Sequence, residues 1–441
     1  MKPLSLFVVT VFLSLITAVE TARAEPLAFT ATRLTVGGSP SFVQAADIYG
    51  DGSLDLLDDG EITILTNNGC GLFGSNATFN ALSFGGFMAA ADLRGTGRAD
   101  LIFARSGNLM DSPSTLVVWT NNGVGGFGSN ATLNVGLQPS RVLASDLTGR
   151  GKPDLICANW GSETLTVLMN QGDGSFAPGL TLPVGGRPSD VAVADVNGDG
   201  YPDLISADDL ACTLTVLLNN GCGGFNLGAT LTVGARPMCV VAADVNGDGY
   251  PDLISANESS DSLTVLTNDG QGGFVLSATI PVGMTPRGVV AADLNGDGYV
   301  DLACANFDSS SVMVLTNDGS GHFGLSATIP VDSQPWCVTA ADVNGDGRSE
   351  LICTSGGAGT LTVLTQTLLP APELAVALDG PNTATLSWST QSSGFTLETN
   401  SDLRTTNWSA CAWPVLATNG TNYTATLSPM PAGNLFFRLR Q

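Results

Sequence analysis

Three observations in the sequence predict an all-β fold, a closed ring of seven four-stranded sheets followed by a small β-sandwich. An acidic, Gly-rich turn recurs seven times with nearly constant wording. Short segments of alternating polarity, separated by Gly-rich turn signals, fill each interval between these turns. The first and last units are complementary fragments of one unit, as a ring closed on itself requires.

From the N-terminus, Lys2 is followed by an apolar run over residues 4–18 and by Ala22-Arg23-Ala24, which has the form of a signal-peptidase site. Residues 1–24 are therefore expected to be a cleaved leader, and the mature protein secreted, periplasmic or at the cell surface. No later stretch has the 18 apolar residues of a membrane span. The segment Phe29 to Val36 matches the phrase that opens a fourth strand elsewhere, so it is expected to complete the last blade.

The first Asp of each turn falls at Asp47, Asp92, Asp146, Asp195, Asp244, Asp293 and Asp342, and from Asp146 onward the spacing is 49 residues. A fixed period of this size means a solenoid or a propeller. Residues 190–195 read as a first strand, 204–207 as a second, 213–219 as a third and 225–233 as a fourth. Alanine fills the first strands (Ala45-Ala46, Ala242-Ala243, Ala291-Ala292, Ala340-Ala341), which suits strands crowded around an axis and favours a closed ring.

The turn over residues 195–204, DVNGDGYPDL, carries the chemistry. Asp195, Asn197, Asp199 and Asp203 place side-chain oxygens at turn positions 1, 3, 5 and 9, and Tyr201 at position 7 offers a backbone carbonyl. Calcium takes six to eight such oxygens. Asp244, Asn246, Asp248, Tyr250 and Asp252 repeat the set, as do Asp293, Asn295, Asp297, Tyr299 and Asp301. Asp342, Asn344, Asp346, Arg348 and Glu350 repeat it with a glutamate at position 9. Asx-type turn bonding would explain one Asp and one Gly per turn but not a third acid at position 9. The turn is not an EF-hand, because Ser206 stands where that loop has Glu and the flanks are strand-like.

The copies are unequal. Asp47, Asp51 and Asp55 persist in the first turn around Tyr49 at position 3, which predicts a weaker site. The second turn has Arg94 and Thr96 at positions 3 and 5, and the third has Thr148 and Arg150, so a guanidinium replaces the metal's charge. Four calcium ions, with a weaker fifth, are expected.

Formal net charge is −24, which argues against nucleic acid or anionic membrane surfaces as partners. Nine cysteines are present, and most stand where neighbouring units carry Ser, Gly, Val or Asp, so they read as small buried residues rather than a disulfide framework. His322 is the single histidine and lies in a hairpin phrase. A His-rich zinc centre is thereby excluded, and support for a catalytic triad is thin.

The phrase D-x-N-G-D-G-x-x-D-L, together with N-x-G-x-G-x-F before each fourth strand, resembles the FG-GAP or VCBS repeats of integrin-type β-propellers over residues 25–369. That resemblance implies a seven-bladed β-propeller, with calcium in the turns between first and second strands and the ligand surface on the opposite face. It also implies a minor alternative, since some propellers of this kind belong to polysaccharide lyases or dehydratases. Residues 370–441 lose the repeat and are weakly similar to fibronectin type III or immunoglobulin-like modules.

On the face away from the acidic turns, loops carrying Arg187, Arg236, Arg287 and Trp336 are expected to meet loops carrying Trp160, Asp208-Asp209, Asn257-Glu258 and Phe307. Aromatics beside arginines and amides suit sugar rings or extended peptides. The function expected is therefore a monomeric binding or adhesion module for an extracellular protein or glycan, with a polysaccharide-active enzyme as the alternative and a structural envelope component a weaker third.

Overall fold

The computed structural model describes residues 27–78, 87–107, 114–123 and 126–367, together with seven strands between residues 375 and 440. The expected leader lies outside the described residues.

Seven four-stranded antiparallel sheets form a propeller ring. Blade 4 is representative, with strands Pro188–Ala194, Asp203–Asp208, Thr213–Asn219 and Phe225–Thr232. Its second strand, DLISAD, is buried at every residue, and so are the second strands Asp252–Asn257, Asp301–Asn306 and Glu350–Ser355 of blades 5 to 7. Neighbouring blades cover both of its faces, which is why the segment does not alternate in polarity. The fourth strand is outermost and alternates between exposed and half-buried residues.

The core lies between blades. Val196, Ile205, Ala207, Leu214 and Val216 of blade 4 pack on Val240, Leu253 and Leu266 of blade 5, and equivalent clusters fill the other joints. Each fully buried Leu, Ile or Val there contributes roughly 1.5–3 kcal/mol. First strands carry half-buried alanines at the axis, among them Ala192, Ala194, Ala242 and Ala243.

Ring closure follows the expectation. Ala28–Thr35 pairs antiparallel with Thr360–Thr367 as the outer strand of blade 7, with Ala28 opposite Thr367 and Thr35 opposite Thr360. Arg33 Nε lies 3.0 Å from Asp332 Oδ1 across this seam, and Leu27 N–H donates to Ser326 Oγ at 3.0 Å in blade 6. The first strand of blade 1 meets the first strands of both blade 2 and blade 7.

Beyond the ring, Ala375–Gly380, Thr383–Ser389, Asn422–Leu427 and Val415–Leu416 form one antiparallel sheet, and Ser409–Ala410, Thr396–Asn400 and Phe436–Arg440 another. Among the described residues no helix is long and apolar enough to cross a membrane.

The cysteine reading needs one correction. Cys157, Cys304 and Cys353 are buried as expected, but Cys70 and Cys222 are exposed, because the hairpin tips they occupy project from the ring. Cys239 and Cys337 face the axial cavity; burial pushes the Cys337 thiol up to about 11 and holds it protonated at neutral pH.

Candidate functional site: acidic turns and an axial mouth

The acidic turns join first to second strands at one end of the ring. In blade 4, Asp195 Oδ1 accepts the Gly198 N–H at 2.8 Å, and Oδ2 accepts the Gly200 N–H at 2.8 Å. Gly198 and Gly200 have φ of 73° and 87°, a region in which a Cβ would be strained. Asn197 Oδ1 accepts from Asp199 N, and Asp199 Oδ1 accepts from Tyr201 N. The same bonding recurs around Asp244, Asp293 and Asp342, and in its position-1 part around Asp47. Asx-type bonds thus account for positions 1, 3 and 5, and among the described residues no three or more His, Cys, Asp or Glu side chains gather as a metal-binding group.

Position 9 behaves differently. Asp203, Asp252 and Asp301 are fully buried, and each uses its two oxygens on two different backbone N–H groups. Asp203 Oδ2 accepts from Val196 at position 2 of its own turn, and Oδ1 accepts from Asn219 at the end of the third strand. Burial raises the pKa of Asp203 and Asp252, against the pull of those N–H groups and with the charges of the position-1 and position-5 acids adding to the rise. Asp301 is pushed up to about 6 by the same causes.

Asn219 then reaches into the preceding blade, where its Nδ2 donates to Leu147 O at 2.7 Å, while also donating to Pro202 O of its own blade at 2.9 Å. Asn268 does the same to Val196 O, and Asn317 to Val245 O. Asn121 reaches Ile48 O, Asn170 reaches Leu93 O, and Asn67 closes the circle on Val343 O in blade 7. Carboxylate, position-2 peptide and asparagine therefore alternate as a belt of hydrogen bonds from blade to blade. The sequence reading missed this role, although the asparagine that opens each N-x-G-x-G-x-F phrase was its visible signal.

Blades 2 and 3 carry arginines in the belt. Arg94 grips Asp100 with a two-pronged contact, Nε to Oδ2 at 3.1 Å and Nη2 to Oδ1 at 2.8 Å, and also donates to Asn121 O. Arg150 Nη2 lies 3.6 Å from Asp154 Oδ1, and its Nε donates to Thr148 Oγ1. The guanidinium stands where the complete turns have an Asn or Asp side-chain oxygen.

At the other end of the ring the first strands surround an axial cavity of about 610 Å³. Trp160, Arg236, Arg287 and Trp336, four of the six expected ligand residues, line it; Arg187 and Phe307 pack behind them. Arg287 sits between two rings, 3.9 Å from the Phe307 centroid and 3.8 Å from that of Trp336, while the rings themselves meet edge to face at 5.6 Å. Glu258, buried, binds Arg287 at 2.8 Å and also Arg236, which reaches Asp209 at 3.0 Å. Burial lowers the Arg287 guanidinium below its ordinary pKa, and Glu258 opposes that shift. Arg187 stacks over Trp160 at 4.5 Å. The aromatics are thus not bare platforms, since each has a guanidinium against one face.

Deeper in the cavity Arg141 pairs with Asp190 at 3.2 Å and lies 4.1 Å from the centroid of the Phe42 ring in blade 1. Sequence reasoning passed over Arg141, Asp190 and Phe42; all three stand two residues after a recurring proline, the same place in successive units. His322 is exposed in its hairpin, with Nδ1 2.8 Å from Ser320 Oγ.

Comparison with known proteins agrees with this geometry. Four overlapping stretches, residues 146–206, 195–255, 244–304 and 293–353, match the family model described as FG-GAP-like repeat. Together these stretches cover residues 146–353 and are similar to FG-GAP-like repeats. No curated protein matches the chain. Among solved structures, BBS1N in complex with ARL6DN is similar at a TM-score of 0.57 with 11% identity, covering 78% of this chain and 98% of that one. A streptogramin B lyase gives 0.53 with 12% identity, covering 78% and 100%. A protein from Lactobacillus plantarum gives 0.51 with 16% identity, covering 90% and 99%. At such identities the likeness is one of fold. The turns of blades 4 to 7, all within the matched stretches, are those with every expected ligand position filled, and the same stretches contain Arg150 of blade 3 and the axial-rim residues from Trp160 to Trp336.

Proposed function

We propose that this protein is a secreted, calcium-stabilised propeller whose axial face binds an extracellular protein or glycan. The observation that carries the reading is the gathering of Trp160, Arg187, Arg236, Glu258, Arg287, Phe307 and Trp336 around one concave mouth of a ring whose net charge is strongly negative. Trp and Arg in partly desolvated positions are the side chains that dominate binding energy at interfaces. Paired guanidinium and carboxylate groups beside apolar rings also suit the mixed polar and apolar surface of a sugar.

The donor set of the complete turns suits calcium in kind: it is all oxygen, drawn from positions 1, 3, 5 and 9, and a carboxylate that accepts two N–H groups keeps further lone pairs for a cation. Asp195, Asn197, Asp199, the Tyr201 carbonyl and Asp203 would hold the ion in blade 4, with the matching residues in blades 5 to 7 and a weaker set in blade 1. The bound ion would supply positive charge that offsets carboxylate repulsion of roughly a few kcal/mol per pair. We read residues 370–441 as a small β-sandwich and residues 1–24 as its secretion leader. A lyase or dehydratase using the same mouth is the alternative.

A screen of glycan and extracellular-protein libraries, run with calcium and with chelator, tests the reading. A partner whose affinity falls at least tenfold, about 1.4 kcal/mol, in Trp336→Ala or Arg236→Ala supports it. Partners that bind both variants with unchanged affinity overturn it, and turnover of a bound polysaccharide by the repurified protein favours the enzyme.

A further inference from the structure

The six turns of blades 2 to 7 are chemically of two kinds, and their placement around the ring matters. In blades 2 and 3 the position-9 carboxylate is met by the chain's own cation, Arg94 for Asp100 and Arg150 for Asp154. In blades 4, 5 and 6 the equivalent Asp203, Asp252 and Asp301 are as deeply buried, and among the described residues no ion pair reaches them. Blade 7 has the same arrangement around Glu350, where Asn344 Nδ2 rather than a basic group donates to Oε1 at 2.7 Å.

Each position-9 residue also begins a second strand whose other end reaches the axial rim. Asp203–Asp208 runs directly into Asp209, Asp252–Asn257 into Glu258, and Asp301–Asn306 into Phe307. A fully buried six-residue strand spans about 20 Å. It links each turn to the rim as a stiff rod. The rim residues borne by blades 4 to 6 form the connected series Asp209, Arg236, Glu258, Arg287, Phe307, ending on Trp336. Trp160, at the end of the blade 3 strand, belongs instead to the separate pair with Arg187.

The geometry points to a ring divided into two arcs: blades 2 and 3 neutralise their turns with built-in arginines and stay ordered without metal, whereas blades 4 to 7 need calcium, and with it the Asp209-to-Trp336 part of the rim. This inference rests on the calcium reading above and adds a regulation to it. Calcium supply would control one side of the binding mouth while the Trp160 and Arg187 side stays in place.

Hydrogen exchange followed by mass spectrometry on the full chain, in excess calcium and in excess chelator, tests it. The expected result is that chelation accelerates exchange in the second strands and rim loops of blades 4 to 6 (residues 203–213, 252–262 and 301–311) on the order of tenfold or more, a local opening cheaper by about 1.4 kcal/mol. Residues 100–105 and 154–164 should change far less. In Arg94→Ala, residues 100–105 should exchange fast in both buffers, and Arg94→Lys, which keeps the charge without the planar fork, should fall between. Equal acceleration of all blades on chelation, or an Arg94→Ala pattern identical to the parent's, overturns the two-arc inference while leaving calcium binding intact. No heat in a calorimetric calcium titration and no exchange difference between the buffers overturns the calcium reading itself. The comparison within the parent chain stands even if a variant fails to fold.

Discussion

Asp58 shows how one side chain can work against the fold that holds it. It ends a second strand, is fully buried, and by strand register stands where blades 3, 5 and 6 have Cys157, Ser255 and Cys304. Its Oδ1 accepts the Gly60 N–H at 3.0 Å, but among the described residues Oδ2 has no hydrogen-bond partner. Burial pushes its pKa up to about 7 from 3.8. Because the folded value is raised, the folded state holds this proton more tightly, so stability is greatest below about pH 4 for this group and is lost as pH rises toward 7. Asp58→Asn should therefore raise the melting temperature at pH 7.5, by roughly 2 °C or more, and flatten the decline between pH 5 and 7. A melt at pH 7.5 no higher than the parent's would show that the carboxyl is not strained. The belt asparagines make the opposite case: Asn219→Ala would strand the Leu147 and Pro202 carbonyls and should cost about 1–3 kcal/mol in chemical denaturation.

Among the elements, two stand out as more than repeats of a pattern. The strand Ala28–Thr35 is the single covalently remote piece of blade 7, and its whole length pairs with Thr360–Thr367. Removing residues 25–37 should lower the melting temperature sharply, since it bares the edge of blade 7 and frees Val36 and Leu34 from the blade 7 and blade 1 core; an unchanged melt would refute closure by this strand. The turn of blade 2 is the other. Arg94→Ala leaves the fully buried Asp100 without its cation, an uncompensated charge worth about 3–5 kcal/mol, and added calcium should not restore the loss because position 3 then has no side-chain oxygen and position 5 has the Thr96 hydroxyl in place of a carboxylate. Rescue by calcium would mean that the guanidinium had been excluding a metal rather than replacing one.

For the whole molecule the decisive quantity is charge. The chain has 40 acidic residues against 16 basic ones, and the acidic turns gather at one end of the ring while Arg141, Arg187, Arg236 and Arg287 gather at the other. Chelation should lower the melting temperature, and calorimetry should count four or five calcium ions; seven would contradict the arginine-bearing turns, and none would remove the metal from the account. Hydrophobic burial between blades does not depend on the ion, so a metal-free ring that loosens without full unfolding is the outcome the core predicts.

Much of this architecture was legible before any coordinates. The blade count, the order of strands, the closing strand and the unequal turns all follow from local wording, because turns depend on Gly and Asp at fixed offsets and strands on alternation a few residues long. Even the replacement of the Asn and Asp of the complete turns by Arg94 and Arg150 showed in the sequence. What the sequence did not disclose was which partner each long side chain would choose. Arg287 lies between Phe307 and Trp336, Arg141 reaches Phe42 across blade 2, and Asn67 bonds Val343 at the far end of the chain. Those meetings depend on how far each blade is rotated about the axis relative to the last, a property of packing between sheets that no stretch of sequence within one blade contains.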